Sequence, residues 1–174
     1  MSNIPSKLQE RLALDFTFST VILERKQGVE GATQKFLWEL RDGQFVESVL
    51  IPASTSLHGE TSDRFTLCVS TQVGCAYGCN FCASGLDGFK RNLEPAEIVD
   101  QVLSVERMQQ GYGDRVITNL VIMGMGEPLA NYEQVMKAIE TFTADWGLRV
   151  PPRRVTVSTV GLVPQMRRLL RETK

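Results

Sequence analysis

The 174-residue sequence predicts an α/β fold, a small antiparallel β-meander followed by about three βα units of a parallel sheet or partial (βα) barrel. Three observations predict it. Up to residue 60, short stretches rich in β-branched and aromatic residues are separated by Gly-containing turns. Beyond it, helical spacing of apolar residues alternates with short apolar runs. The resulting order, strand, helix, strand, helix, strand, helix, requires parallel pairing through helical crossovers.

The meander is expected from 17–26 (TFSTVILERK), 34–40 (QKFLWEL) and 45–51 (FVESVLI), with QGVEGA and RDGQ as turns. The polar stretch ASTSLHGETSD reads as a loop. A strand follows at 65–70 (FTLCVS), and a helix starts at Pro95, where Ile98, Val99, Val102, Leu103 and Val105 form one apolar face. Residues 116–123 (VITNLVIM) read as the second strand. A helix runs from about Asn131, whose side chain is expected to cap it, through Thr143. The third strand is 153–159 (RRVTVST) and the last amphipathic helix 163–172 (VPQMRRLLRE). Three units make a thin sheet, which needs both faces covered and its edges protected. The expectation is therefore a meander extension over 1–60 and the first half of a barrel over 61–174, truncated at its C-terminus in a longer protein.

Composition excludes several classes. Hydrophobic residues make up 43% of the chain, enough for one ordinary core, and nothing marks a disordered or disulfide-dense protein. Nineteen Lys and Arg face twenty Asp and Glu, so no global basic field points to a nucleic acid and any such contact has to be local. No apolar run approaches the roughly 18 residues that span a bilayer, and MSNIPSKLQERLALDF lacks a signal-peptide layout. The chain reads as cytoplasmic, without a membrane partner. There, clustered cysteines are metal ligands or catalytic thiols rather than structural disulfides.

Three of the four cysteines, Cys75, Cys79 and Cys82, form C-x3-C-x2-C on one loop directly after the first βα strand. Gly74, Gly78 and Gly85 let that loop fold around something bulky. Structural zinc wants four protein ligands and catalytic zinc more often uses histidine, whereas the single histidine, His58, lies in the polar loop. A cube of four irons and four sulfides held by three thiolates leaves one iron open to another molecule.

This spacing, with Phe81 just before the last cysteine, resembles the radical S-adenosylmethionine superfamily. MGMGEP (123–128) resembles its Gly-Glu segment, and STVG (158–161) offers a hydroxyl at the next strand end. The resemblance implies a radical-SAM-type barrel with a [4Fe-4S] cluster on Cys75, Cys79 and Cys82. It also implies S-adenosylmethionine held by Gly126, Glu127 and Ser158, with chemistry at the C-terminal ends of the strands. More narrowly, TLCVSTQVGCAYGCNFCASGLDGFKRNL, MGMGEPLANY and RRVTVSTVGLVP resemble the RlmN/Cfr family of radical RNA methyltransferases, the likeness running from about Thr17 to the last residue. That likeness implies methylation of adenosine C2 in ribosomal RNA, and in transfer RNA, through a methyl-cysteine. C8 methylation of the Cfr type is the close alternative, and a non-catalytic iron–sulfur or zinc RNA-binding module the distant one. Further implications are an electron-donating reductase or flavodoxin and a monomeric full-length enzyme.

By position, Cys68 matches that family's resolving thiol, and Glu47 in FVESVLIP the glutamate that takes the ring proton. No fifth cysteine is present to carry the methyl group, so the chain alone is expected to be inactive. Each residue also has a plainer reading. Cys68 fits a buried small hydrophobe and Glu47 the solvent side of an alternating strand. Glu127, before Pro128, fits the start of a helix, Ser158 an ordinary strand-end hydroxyl, and Met123 and Met125 packing groups. Lys90 and Arg91, after the cluster loop, are candidates for RNA phosphate contact, while the arginines from Arg149 to Arg171 and Lys174 fit a solvated helix face. A base reaching such a site must be unstacked.

Overall fold

The structure, a computed structural model, describes residues 4–15, 21–28, 32–53, 64–110 and 116–173. The start of the first predicted strand (17–20), most of the polar loop with His58, and Lys174 lie outside these residues.

Three antiparallel strands form the meander, β1 (Val21–Gln27), β2 (Gln34–Leu40) and β3 (Phe45–Pro52). β3 pairs antiparallel with β4 (Phe65–Cys68), and two-residue strands β5 (Gln72–Val73) and β6 (Arg91–Asn92) bracket the cysteine loop as a small separate sheet. β7 (Asn119–Ile122) and β8 (Val155–Val157) join β4 in parallel, giving one six-stranded sheet in the order β1-β2-β3-β4-β7-β8. A helix not foreseen, α1 (Ser6–Asp15), precedes the meander. Helix α2 (Pro95–Gln110) crosses from β4 to β7, α3 (Tyr132–Thr143) from β7 to β8, and α4 (Val163–Glu172) follows β8. These last three close the three expected βα units, and the parallel strands are hydrogen-bonded directly to the meander.

Period-2 alternation decides which side of the sheet is dry. Gln34, Phe36, Trp38 and Leu40 of β2 and Val46, Ser48 and Leu50 of β3 are buried, as are Leu67, Leu120 and Ile122 further along the sheet. Phe36 and Trp38 stack with ring centroids 5.5 Å apart. Ile98, Val102 and Val105 of α2 and Val135, Ala138 and Phe142 of α3 complete this core. Each large apolar side chain fully buried there contributes roughly 1.5–3 kcal/mol before conformational entropy is subtracted. Buried polar groups among them are paired: Trp38 Nε1 donates to Ser48 Oγ at 3.1 Å, which donates to Gln101 Oε1 at 2.8 Å. Gln101 also receives the Ser70 amide at 2.9 Å and returns its own N–H to the Ser70 carbonyl at 3.1 Å. That exchange ends β4 before the predicted Ser70.

The other predicted ends move for similar reasons. Glu106 on α2 accepts the amides of Val116 and Ile117, both at 2.9 Å, so these residues bond to the helix and β7 starts only at Asn119. A 3-10 turn over Pro152–Arg154 delays β8. α2 begins at the predicted Pro95, its Glu97 reaching back to the Glu94 amide at 2.9 Å in the manner of a capping box. Asn131 does not cap α3. Its Nδ2 instead donates to the carbonyls of Thr71 at 2.8 Å and Leu93 at 2.9 Å, tying the start of α3 to the segments around the cysteine loop.

The unforeseen α1 is built from good helix formers and buries none of its residues, its Leu8 and Leu12, one turn apart, both remaining exposed. Met125 packs against the core as expected, but Met123 is exposed, one step past the buried Ile122 and hence on the opposite face of the strand.

Candidate functional site

Each of the three parallel strands delivers one segment to a common cleft. After β4 and β5 comes the cysteine loop. Gly74 opens it with φ +71°, and a Cβ there would sit 1.8 Å from the Gly88 carbonyl oxygen, so only glycine lets the two ends of the loop close on each other. A Cβ at Gly85 would stand 2.8 Å from the Tyr77 carbonyl oxygen, whereas Gly78 has open space around it and an ordinary φ. Within the loop the Cys82 amide donates to the Cys79 carbonyl at 3.0 Å, and the Tyr77 amide donates to Cys75 Sγ at 3.4 Å. All four cysteines are free thiols of intermediate exposure.

The segment after β7 carries Gly126 and Glu127. Glu127 is only 2% exposed, and its carboxylate accepts three hydrogen bonds: from the Leu129 amide at 2.9 Å, the Thr159 hydroxyl at 2.7 Å and the Val160 amide at 2.8 Å. The bond to Leu129 caps the 3-10 turn Pro128–Asn131, the structural role expected of a carboxylate just before Pro128. Those to Thr159 and Val160 reach across to the segment after β8 and hold it against the end of β7. Ser158 lies in that last segment, its amide donating to the Ile122 carbonyl at 3.2 Å.

The cleft so formed has a volume of about 250 Å³ and is walled by Cys75, Cys79 and Cys82 on one side and by Gly126, Glu127 and Ser158 on the other. Phe81, 93% exposed, stands at its edge. Six of the eight sequence-predicted site residues are thus brought together. A larger hollow of about 640 Å³, bordered by Ile139, Val155, Val157 and Leu169, contains none of the eight.

Glu47 and Cys68 do not line the cleft. Ladder register pairs Glu47 with Leu37 and Val49 with Cys68, which puts Glu47 and Cys68 on the same face of the sheet, opposite the helices. The Glu47 carboxylate meets Lys35 Nζ at 2.6 Å. Burial pushes the Cys68 thiol above its ordinary pKa, and a hydrogen bond from the Met123 backbone amide pulls it part of the way back. The Arg91 guanidinium, the other candidate for RNA phosphate contact, grips Glu97 with two bonds of 2.8 Å and Asp42 with one of 2.7 Å. Lys90 beside it is exposed.

Sequence reasoning missed the polar residues that hold the walls together. Thr159 is one; Ser70 is another, donating to the Glu47 carbonyl at 2.6 Å and accepting from the Met125 amide at 2.8 Å. A third is Gln72, which is fully buried. The signal for Ser70 and Gln72 is in TLCVSTQVGC, where a run of small and amide side chains occupies positions adjoining a core strand.

A cluster fits these residues by donor chemistry. The set is three thiols with no imidazole or carboxylate among them, soft ligands suited to iron–sulfur binding. Among the described residues no three His, Cys, Asp or Glu side chains are grouped to hold a single metal ion. Cubane ligands each take a different iron and need no such convergence.

Residues 69–174 match the Radical SAM superfamily. The chain is 48% identical over 97% of its length to the probable dual-specificity RNA methyltransferase RlmN of Akkermansia muciniphila, covering 46% of that protein. It is 53% identical over 87% of its length to the dual-specificity RNA methyltransferase RlmN of Syntrophobacter fumaroxidans, covering 41% of it. Its fold superposes with a TM-score of 0.84 on the crystal structure of a radical SAM methyltransferase from Sphaerobacter thermophilus, at 41% identity, over 98% of this chain and 48% of that one. The chain spans about half the length of the curated relatives it matches. No helix among the described residues is long and apolar enough to cross a membrane.

Proposed function

The chain belongs to the radical S-adenosylmethionine superfamily, and from that premise we propose that its cleft holds a [4Fe-4S] cluster and S-adenosylmethionine and that the protein methylates adenosine C2 in ribosomal RNA, and in transfer RNA. The observation that carries the reading is the cleft itself, in which the three thiols of one loop face the segments after the next two parallel strands. Cys75, Cys79 and Cys82 would hold the cluster through their thiolates. When bound, the cluster supplies the single electron that splits the sulfonium of its co-substrate.

The chain's own residues do the rest. Gly126 and Glu127 bound the side of the cleft assigned to the methionine ammonium, and Ser158 offers a hydroxyl there. Three donors on the Glu127 carboxylate leave one of its roughly four lone-pair positions for a ligand N–H. Glu47 is the base for the adenine ring proton, its carboxylate set 2.6 Å from Lys35 Nζ. Cys68 is the thiol that resolves the protein–RNA adduct. Lys90, exposed next to the cluster loop, contacts RNA phosphate. A one-electron reductase or flavodoxin, a cytoplasmic location and a monomeric enzyme complete the reading.

Anaerobic reconstitution tests it. The protein should take up about four irons and four sulfides, as the cluster type dictates, and its reduced paramagnetic resonance signal should change on adding S-adenosylmethionine. RNA nucleosides from cells lacking the gene should lose 2-methyladenosine. Zinc uptake without iron, or a signal indifferent to the donor, would sink the proposal; loss of 8-methyladenosine instead would move the reaction to C8.

A further inference from the structure

Between the cysteine loop and the Gly126–Glu127 segment sits a buried side chain bonded to both, and it belongs to a residue with no assigned contact to cluster or co-substrate. Gln72 on β5 is fully buried. Its Oε1 accepts the amide of Ala76, next to Cys75 in the cysteine loop, at 3.2 Å, and the amide of Glu127 at 2.9 Å. A backbone amide can only donate, so the group facing both must be the carbonyl oxygen of Gln72, which places Nε2 against Asn92 Oδ1 at 2.8 Å. The orientation of the side-chain amide is therefore fixed from three sides. Gly126 packs directly on it: φ is +99°, and a Cβ would lie 2.5 Å from Gln72 Cβ. The backbone repeats the link, the Gln72 amide donating to the Met125 carbonyl at 3.2 Å.

We propose that Gln72 is a positioning residue that sets the spacing between the cluster thiols and the methionine-binding side of the cleft, through one carbonyl oxygen bonded to both. This rests on the proposed function. The Glu127 amide is buried and needs an acceptor, and the oxygen that serves it also takes the Ala76 amide, which a single acceptor can do only at one separation of the two loops. Removing it frees each loop to find its own partner. Only the backbone bond from Gln72 to Met125 then ties the thiols' loop to the Glu127 segment at this point, and their spacing loosens although neither has changed in sequence.

Two substitutions test this. Gln72→Leu keeps the volume and removes the acceptor. Gln72→Glu keeps the acceptor oxygen and replaces the Nε2 donor with a second one, to which Asn92 can turn its amide to donate. In the reconstituted protein, the S-adenosylmethionine concentration that half-converts the cluster resonance signal should rise at least tenfold in Q72L and stay within threefold of the starting protein in Q72E. In the cluster-free protein, hydrogen exchange at the Ala76 and Glu127 amides should accelerate together in Q72L and recover in Q72E. Loss of the cluster from Q72L alone, with Q72E loaded and responsive, also supports the role. A Q72L titration within twofold of the starting protein, loss of cluster from both variants, or faster exchange at only one amide overturns it. Should the starting protein's own signal ignore the donor, the reading of the cleft falls, while the exchange comparison still decides whether Gln72 couples the two loops.

Discussion

Cys68 shows how a single side chain is tuned by its place on a strand. Taking a thiol out of water disfavours its thiolate, and the Met123 amide only partly restores it, so at neutral pH Cys68 stays protonated. Peptide-level alkylation of the folded protein should accelerate at a higher pH than it does in the urea-unfolded chain; coincident profiles would contradict the burial argument. Because the folded pKa is raised, this group's contribution to stability is full below the ordinary thiol range and lost as pH rises through the folded value. Gly74 makes the opposite kind of case, where what matters is the atom that is missing. Gly74→Ala places a methyl group inside the Gly88 carbonyl at a left-handed φ, at a cost of about 3 kcal/mol. A fall in Tm of roughly 6–12 °C by calorimetry is expected for a chain of this size. An unchanged Tm would mean the loop closes some other way. At this scale the grouping of the thiols, Glu127 and Ser158 in one cleft is legible in the sequence, because the proposed chemistry asks for those residue types at those intervals. Gln72 is not, since a glutamine's value here comes from burial between two loops that meet only in three dimensions.

Among the elements, the hairpin turn of the meander, the end of the cysteine loop and the start of α2 are held by one guanidinium. Arg91 reaches Glu97, whose side chain is 10% exposed, and Asp42 in the turn between β2 and β3. Hydrogen bonds to Arg91 in turn hold the Asp42 carboxyl below the usual carboxylate range. Arg91→Met should destabilise the protein by about 2 kcal/mol at neutral pH, most of it from the half-buried pair with Glu97. The depressed Asp42 pKa makes its share of that stability present above the ordinary value of 3.8 and lost as pH falls through the folded value. Urea denaturation should accordingly show the gap between variant and parent narrowing in acid; a gap independent of pH would remove Asp42 from the account. α2 and α4 are readable to the residue, Pro95 and Pro164 sitting within their first turns. β4, β7 and β8 are shorter than their apolar runs suggest, because their terminal amides bond to Gln101, to Glu106 and within the Pro152–Arg154 turn, partners that no local pattern announces.

For the molecule as a whole, one sheet does two jobs. Its dry face, under α2 and α3, carries the core, while the ends of β4, β7 and β8 carry the cleft, the arrangement expected where parallel strands feed loops at their C-terminal edge. The order of elements is enough to foresee that, since parallel pairing follows from the helical crossovers alone. It does not reveal how the meander attaches. β3 lies directly against β4, with Val49 opposite Cys68 and Pro52 opposite Phe65, so Glu47 and Cys68 come to share a face although they belong to differently patterned halves of the chain. A protease cutting anywhere between residues 53 and 64 would break the covalent thread yet leave those rungs intact. The two pieces would stay clasped edge to edge, like a zip whose pull has been removed.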